Sequence, residues 1–119
     1  MTQNEKDLLL KDLCARLPYG VKAEKYTIRL DGEFVPLANI ETVTAKDIID
    51  RDECPGYTIK PYLFPLSSMT WEQECQYREV IASSLNHYEV YDWLNKNHFD
   101  YRNLINKNLA IDCTNLNIY

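Results

Sequence analysis

The stretch Ile59-Lys60-Pro61-Tyr62-Leu63-Phe64-Pro65-Leu66-Ser67-Ser68-Met69-Thr70 divides the chain into two kinds of sequence. Before it the pattern reads as a helix followed by strands. After it the pattern is helical until the chain nears its end. Pro61 and Pro65 each fix φ and remove a backbone donor, so the segment is stiff and extended. Tyr62, Leu63 and Phe64 make it too apolar for a solvent loop. It reads as a strap joining two halves of one core, taking the chain off a small sheet and delivering Ser67 to Thr70 to a helix start.

Upstream, residues 3–17 predict a helix. Leu9, Leu10, Leu13, Cys14 and Leu17 recur at helical spacing as an apolar stripe, with Lys6, Lys11, Asp12 and Arg16 off it. Asp7–Lys11 and Asp12–Arg16 are acid-before-base pairs at i, i+4, each worth roughly 0.3 kcal/mol on a surface. Thr2 with Glu5 forms a capping box, and Pro18 and Gly20 stop the helix. Residues 21–30 predict a strand with a phase fault: Val21 and Ala23 are apolar at odd positions, Tyr26, Ile28 and Leu30 at even ones. A bulge near Glu24-Lys25 would restore one buried face. Asp31-Gly32 is a two-residue hairpin signal. It pairs Leu30 with Glu33, Ile28 with Val35 and Tyr26 with Leu37, and places Pro36 opposite Thr27 on an edge strand. Ile40 and Val43 extend the sheet, Thr44 with Asp47 caps a short turn carrying Ile48 and Ile49, and Pro55-Gly56 turns the chain into a short strand at 57–59.

Downstream, Thr70 with Gln73 opens a second helix to about Ser83, with Trp71, Cys75 and Ala82 on one side and Tyr77, Val80 and Ile81 beside it. Asn86 with Glu89 caps a third, through Val90, Trp93 and Leu94 to about Asn97. Asp100 caps a turn carrying Leu104 and Ile105, and Leu109-Ala110-Ile111 has strand character. Eight of the ten asparagines fall after residue 85, which suits frequent caps and turns. The expected fold is α+β: one domain over residues 1–119, with a small, mainly antiparallel sheet carrying the N-terminal helix and a C-terminal helical group on one face.

Composition narrows the function classes. An apolar share of 45 % with 26 % charged residues suits a single packed core. A net charge of −5 argues against nucleic acid, which needs a basic face for counterion release. The longest apolar runs, such as Leu8-Leu9-Leu10 and Tyr62-Leu63-Phe64, are three residues and far short of a membrane span, and no signal or lipidation motif is present, so a cytoplasmic location is expected. Cys14, Cys54, Cys75 and Cys113 show no Cys-x-x-Cys spacing and read as reduced, mostly buried thiols.

Lys11-Asp12-Leu13-Cys14-Ala15-Arg16-Leu17-Pro18-Tyr19-Gly20-Val21, the strap itself, Tyr91-Asp92-Trp93-Leu94, His98-Phe99-Asp100-Tyr101-Arg102 and Leu109-Ala110-Ile111 together resemble a family of small uncharacterised proteins of gut Bacteroides-type bacteria and their phages. The resemblance spans nearly the whole chain. It implies a bacterial or phage origin and a cytoplasmic home, and it brings no activity with it.

No residue pattern points to catalysis or to a cofactor. His87 and His98 are eleven apart, roughly 16 Å of rise on a straight helix, and cannot share a metal ion there. The acidic run Asp50, Asp52 and Glu53 around Arg51 lacks the glycine and the final glutamate of an EF-hand loop. Ser67 and Ser68 precede a helix and read as turn residues. What remains is aromatic content. Tyr62, Phe64, Trp93 and Phe99 read as core, whereas Tyr88, Tyr91, Tyr101 and His98, with Arg102, are the candidate binding residues. The leading expectation is a non-enzymatic accessory protein that binds a macromolecular partner, modulating a host or defence component. The alternative is a small-ligand-binding protein or minor enzyme with a pocket between the third helix and the strap, where His98, Tyr101 and Arg102 converge. A homodimer built on the edge strand at 34–37 is a third reading.

Overall fold

The computed structural model describes residues 2–28, 34–36, 40–53 and 58–119. Four helices and a mixed sheet make it an α+β protein: α1 (Gln3–Arg16), β1 (Lys22–Ile28), β2 (Phe34–Pro36), β3 (Glu41–Thr42), α2 (Ala45–Glu53), β4 (Thr58–Pro65), α3 (Trp71–Ser83), α4 (His87–Lys96), β5 (Phe99–Asp100) and β6 (Ile111–Asp112). The principal strand order is β2-β1-β4-β5. β1 pairs antiparallel with β2, β3 and β4, whereas β4 pairs in parallel with β5 and β6.

The strap is therefore the central strand. Pro61 is tolerated because it pairs with Ala23 at the last step of the β1–β4 ladder, and Pro65 is the strand's final residue. Beyond Pro61 new neighbours take over: Cys113 N donates to Leu63 O at 3.0 Å and Phe64 N to His98 O at 2.8 Å. Those two acceptor and donor groups belong to one peptide unit and point opposite ways, so β6 and β5 flank β4 on opposite edges. The expected delivery to a helix does occur. A 3-10 turn (Leu66–Ser68), in which Ser68 Oγ donates to Pro65 O at 2.7 Å, leads to Thr70, whose capping box with Gln73 opens α3.

β1 runs without the bulge expected near Glu24-Lys25. Its register with β4 is continuous from Ala23↔Pro61 to Tyr26↔Thr58. Ala23, like Val21 before it, faces the core, and Lys25 on the same side is accommodated by ion pairs at 3.0 Å to Glu41 and to Asp47. Even positions form the other face, where the Tyr26 and Tyr62 hydroxyls approach Glu24 at 2.6 and 3.5 Å. Burial and that carboxylate push both phenols above their ordinary range. The β1–β2 register also departs from expectation by one residue, with Tyr26 opposite Pro36 and Thr27 opposite Val35. The expected register matched apolar residues on even positions such as Tyr26, which turn away from the main core. The Asp31-Gly32 and Pro55-Gly56 turns, Cys54 and Leu37 lie outside the described residues, and so does a test of the edge-strand dimer.

The core gathers Leu9 and Leu13 of α1, Val21 and Ala23, Val43, Ile48 of α2, Ile59 and Leu63 of β4, and Leu104, Leu109 and Ala110. α1 starts at the Thr2–Glu5 capping box and ends where Gly20 takes a φ of 70°. Its buried stripe is Leu9, Asp12, Leu13 and Arg16 rather than the all-apolar one expected: Leu10 is half-buried, Cys14 is exposed, and Asp12 and Arg16 are both 0 % exposed. Thr44 and Asp47 cap α2 reciprocally. The α3–α4 hairpin attaches through α4 to α1 and β5. α3 has no fully buried residue, and Trp71, expected on one side of it with Cys75 and Ala82, is 78 % exposed.

Candidate functional site

Burying Asp12 and Arg16 would be costly without partners, and the structure supplies them. Arg16 Nε donates to Asp12 Oδ2 at 2.9 Å, and Arg102 Nη1 to Asp12 Oδ1 at 2.6 Å. Arg16 Nη2 also donates to the Phe99 carbonyl at 2.5 Å. One carboxylate thus holds two guanidiniums, one from its own helix and one, Arg102, from ninety residues away in sequence. Both cations lie over the Tyr101 ring, with guanidinium carbons at 5.3 Å (Arg16) and 4.5 Å (Arg102) from its centroid. Tyr101 Oη donates to Asn95 Oδ1 at 2.9 Å, fixing the ring against α4. Arg102 pairs with Asp12 rather than with its sequence neighbour Asp100, which links the segment after β5 to α1. Asp100 instead accepts backbone N–H bonds from Arg102, Leu104 and Ile105, the turn-capping role its position predicts.

Outward from this node runs a groove of about 990 Å3. Lys11, Ala15 and Arg102 form one wall; Tyr77 and Ile81 lie along α3, Leu85 in the turn after it, and Tyr88, Tyr91 and Asp92 along α4. Tyr91 packs on Tyr101 with centroids 5.2 Å apart. The apolar side chains over the groove are strongly exposed: Leu85 95 %, Tyr88 77 %, Ile81 51 %. Leu85 stands between α3 and α4 at the hairpin tip, with Asn86 capping α4 through Tyr88 N at 3.0 Å.

Four of the five residues singled out in the sequence, Tyr88, Tyr91, Tyr101 and Arg102, line this groove. His98 does not. Its backbone takes a φ of 61°, and its ring stacks on Tyr119 at 3.7 Å and 9°. Burial, with Arg16 and Lys22 nearby, pushes its imidazole down to about 4. Tyr119 Oη accepts from Lys22 N at 2.8 Å and donates to the Tyr62 carbonyl at 2.8 Å, tying the chain's last residue to β1 and β4. The expected convergence of His98, Tyr101 and Arg102 on one pocket is thus not formed, because the left-handed backbone at His98 sends its ring to the Tyr119 side. A smaller cavity of about 280 Å3 lies under the end of β4, lined by Ser67, Asp100 and Tyr101.

Asp12, Arg16, Ile81 and Leu85 were missed as site residues by sequence reasoning. An i, i+4 Asp–Arg pair looks the same on a surface as in a core, so only the distant Arg102 could have revealed it. Leu85 carried a usable signal, as a large apolar residue in a short Ser-Leu-Asn turn. No group of three or more His, Cys, Asp or Glu side chains able to hold a metal ion occurs among the described residues, and no helix there is long and apolar enough to cross a membrane. The side chains of the acidic run at 50–53 lie outside the described residues. No protein-family model, curated protein or solved structure matches the chain.

Proposed function

We propose that the chain is a non-enzymatic accessory protein that acts by binding a protein partner through the groove beside the α3–α4 hairpin. The observation that carries this reading is the exposure of Leu85 and Tyr88 on a hairpin whose α3 face finds no full cover within the chain. Large apolar and aromatic side chains over a concave surface are the anchors that protein interfaces use. Lys11 and Arg102 on the opposite wall supply orienting charge. In the bacterial or phage setting suggested by the sequence blocks, the partner is a host or defence component whose activity the protein modulates.

The test compares wild type with Leu85→Glu and Tyr88→Ala baits in quantitative capture from bacterial host lysate. Circular dichroism verifies that each variant is folded. A stoichiometric partner should be recovered by wild type and reduced at least tenfold by either variant, as loss of about 1.4 kcal/mol at a hot spot implies. Recovery of the same proteins at the same level by all three baits would sink the reading.

A further inference from the structure

We infer that, in the free protein, the groove is occupied by the α3–α4 hairpin of a second copy, so that self-association and partner binding compete for one surface. This rests on the groove being a protein-binding surface and adds the identity of an occupant. Three observations carry it.

First, α3 is a thirteen-residue helix with no fully buried side chain. Its contact with α4, led by the Tyr77–Trp93 stack, leaves Trp71 and Ile81 exposed, so a helix of a length that is marginal in water alone keeps apolar surface for a further contact. Second, the hairpin is both apolar and acidic. Its tip presents Leu85 and Tyr88, and residues 71–96 hold five acidic side chains (Glu72, Glu74, Glu79, Glu89, Asp92) against two basic ones (Arg78, Lys96). Third, the wall facing the hairpin across the groove is cationic. Lys11 has no ion-pair partner among the described residues, and Arg102 shares with Arg16 the single carboxylate of Asp12.

An acidic, apolar hairpin and an apolar groove whose Lys11–Arg102 side is cationic, although Asp92 also lines it, are complementary between copies. If the tip of one copy enters the groove of the other, a two-fold axis makes the exchange reciprocal: each Leu85 is buried, and each acidic hairpin faces a Lys11–Arg102 wall. Such a closed, isologous pair covers both exposed tips. Glu89, exposed beside Tyr88, is the acidic residue nearest the tip on α4 and the one that would meet Lys11.

Sedimentation and light scattering of the full chain across a concentration series test the inference. The expected result is a reversible shift toward twice the 14.0 kDa chain mass, weakened by added salt because the charged walls are screened. Leu85→Glu should remove the shift. Lys11→Glu and Glu89→Lys should each weaken it, and the double charge swap should restore it, which a merely misfolded variant would not do. A wild-type chain that stays monomeric to millimolar concentration overturns the inference, as does a dimer indifferent to Leu85→Glu or a charge swap that fails to restore. The two readings separate cleanly. Monomeric wild type with Leu85-dependent partner capture sinks the dimer alone, whereas a Leu85-dependent dimer with unchanged capture sinks the proposed function and the competition and leaves the dimer standing.

Discussion

Asp12 holds two guanidiniums in a site with no solvent access to the Asp12–Arg16 pair. Removing the negative charge while keeping the shape, as in Asp12→Asn, leaves Arg16 buried beside Arg102 with no counter-charge. Breaking a buried pair in this way costs about 3–5 kcal/mol, whereas replacing both members by apolar residues of similar volume costs much less. Urea denaturation should therefore show Asp12→Asn far less stable than Asp12→Leu/Arg16→Met. Equal midpoints for the two would show that the pair is not buried as described. His98 gives a second, pH-dependent expectation. Its folded imidazole titrates near 4, below the ordinary value of 6.5, so the unfolded chain binds more protons between those limits. Stability is then unaffected above about pH 6.5, falls as pH drops toward 4, and loses nothing more from this group below that. Allowing for the ring's partial exposure, the loss is about 1–2 kcal/mol. His98→Gln should flatten that part of the stability–pH curve relative to wild type. Parallel curves for the two proteins would remove the assignment.

At the scale of elements, local signals were legible wherever a side chain caps its own backbone. Thr2–Glu5, Thr44–Asp47 and Thr70–Gln73 cap reciprocally as their spacing predicts, Asp100 caps its turn, and Asn86 caps α4 through Tyr88 N without the expected Glu89 partner. Three of the four non-glycine positive-φ residues among the described residues are asparagines after residue 85, in keeping with asparagine's tolerance of the left-handed region. What was not legible depended on distant partners. The segment at 59–70 looked like a strap because two prolines argue against a central strand, and nothing local shows that the β1 ladder stops at Pro61. The α1 stripe was misplaced by a similar cause, since periodicity ranks Leu10 and Cys14 above Asp12 and Arg16 until Arg102 is known to reach them. α3 is the element most dependent on its own signals, having no fully buried residue to hold it. Thr70→Ala, which removes the capping oxygen 3.2 Å from Gln73 N, should cost about 1 kcal/mol. The loss should be local: hydrogen exchange should accelerate along α3 while β4 and α1 remain protected. Uniform acceleration across the chain would contradict that independence.

For the molecule as a whole, the question is what holds the hairpin to the body. The link is a run of aromatic contacts. Tyr77 stacks on Trp93 at 5.5 Å, Trp93 on Phe99 at 5.7 Å, Phe99 meets Phe64 at 6.0 Å, and Phe64 meets Tyr119 at 6.0 Å. This run passes from α3 through α4 and β5 into the central strand, so the candidate groove is positioned by the same strand that organises the sheet. Of the two tryptophans, Trp71 is largely exposed and Trp93 is packed in the run, so only Trp93 reports on docking. Truncating it in Trp93→Ala removes the stacking partners of both Tyr77 and Phe99, and large-to-small changes at such sites cost about 3–5 kcal/mol. Because α1, β1 and β4 keep their own core of Leu9, Leu13, Ala23, Ile59 and Leu63, the loss should fall first on the hairpin's attachment. Limited proteolysis of Trp93→Ala should then cut within residues 71–96 well before the rest of the chain. A uniformly resistant variant, or one cleaved everywhere at once, would show that the hairpin is not a separately docked unit. That outcome would also weaken the case for a groove that admits a partner, since the groove's two walls would then move as one body.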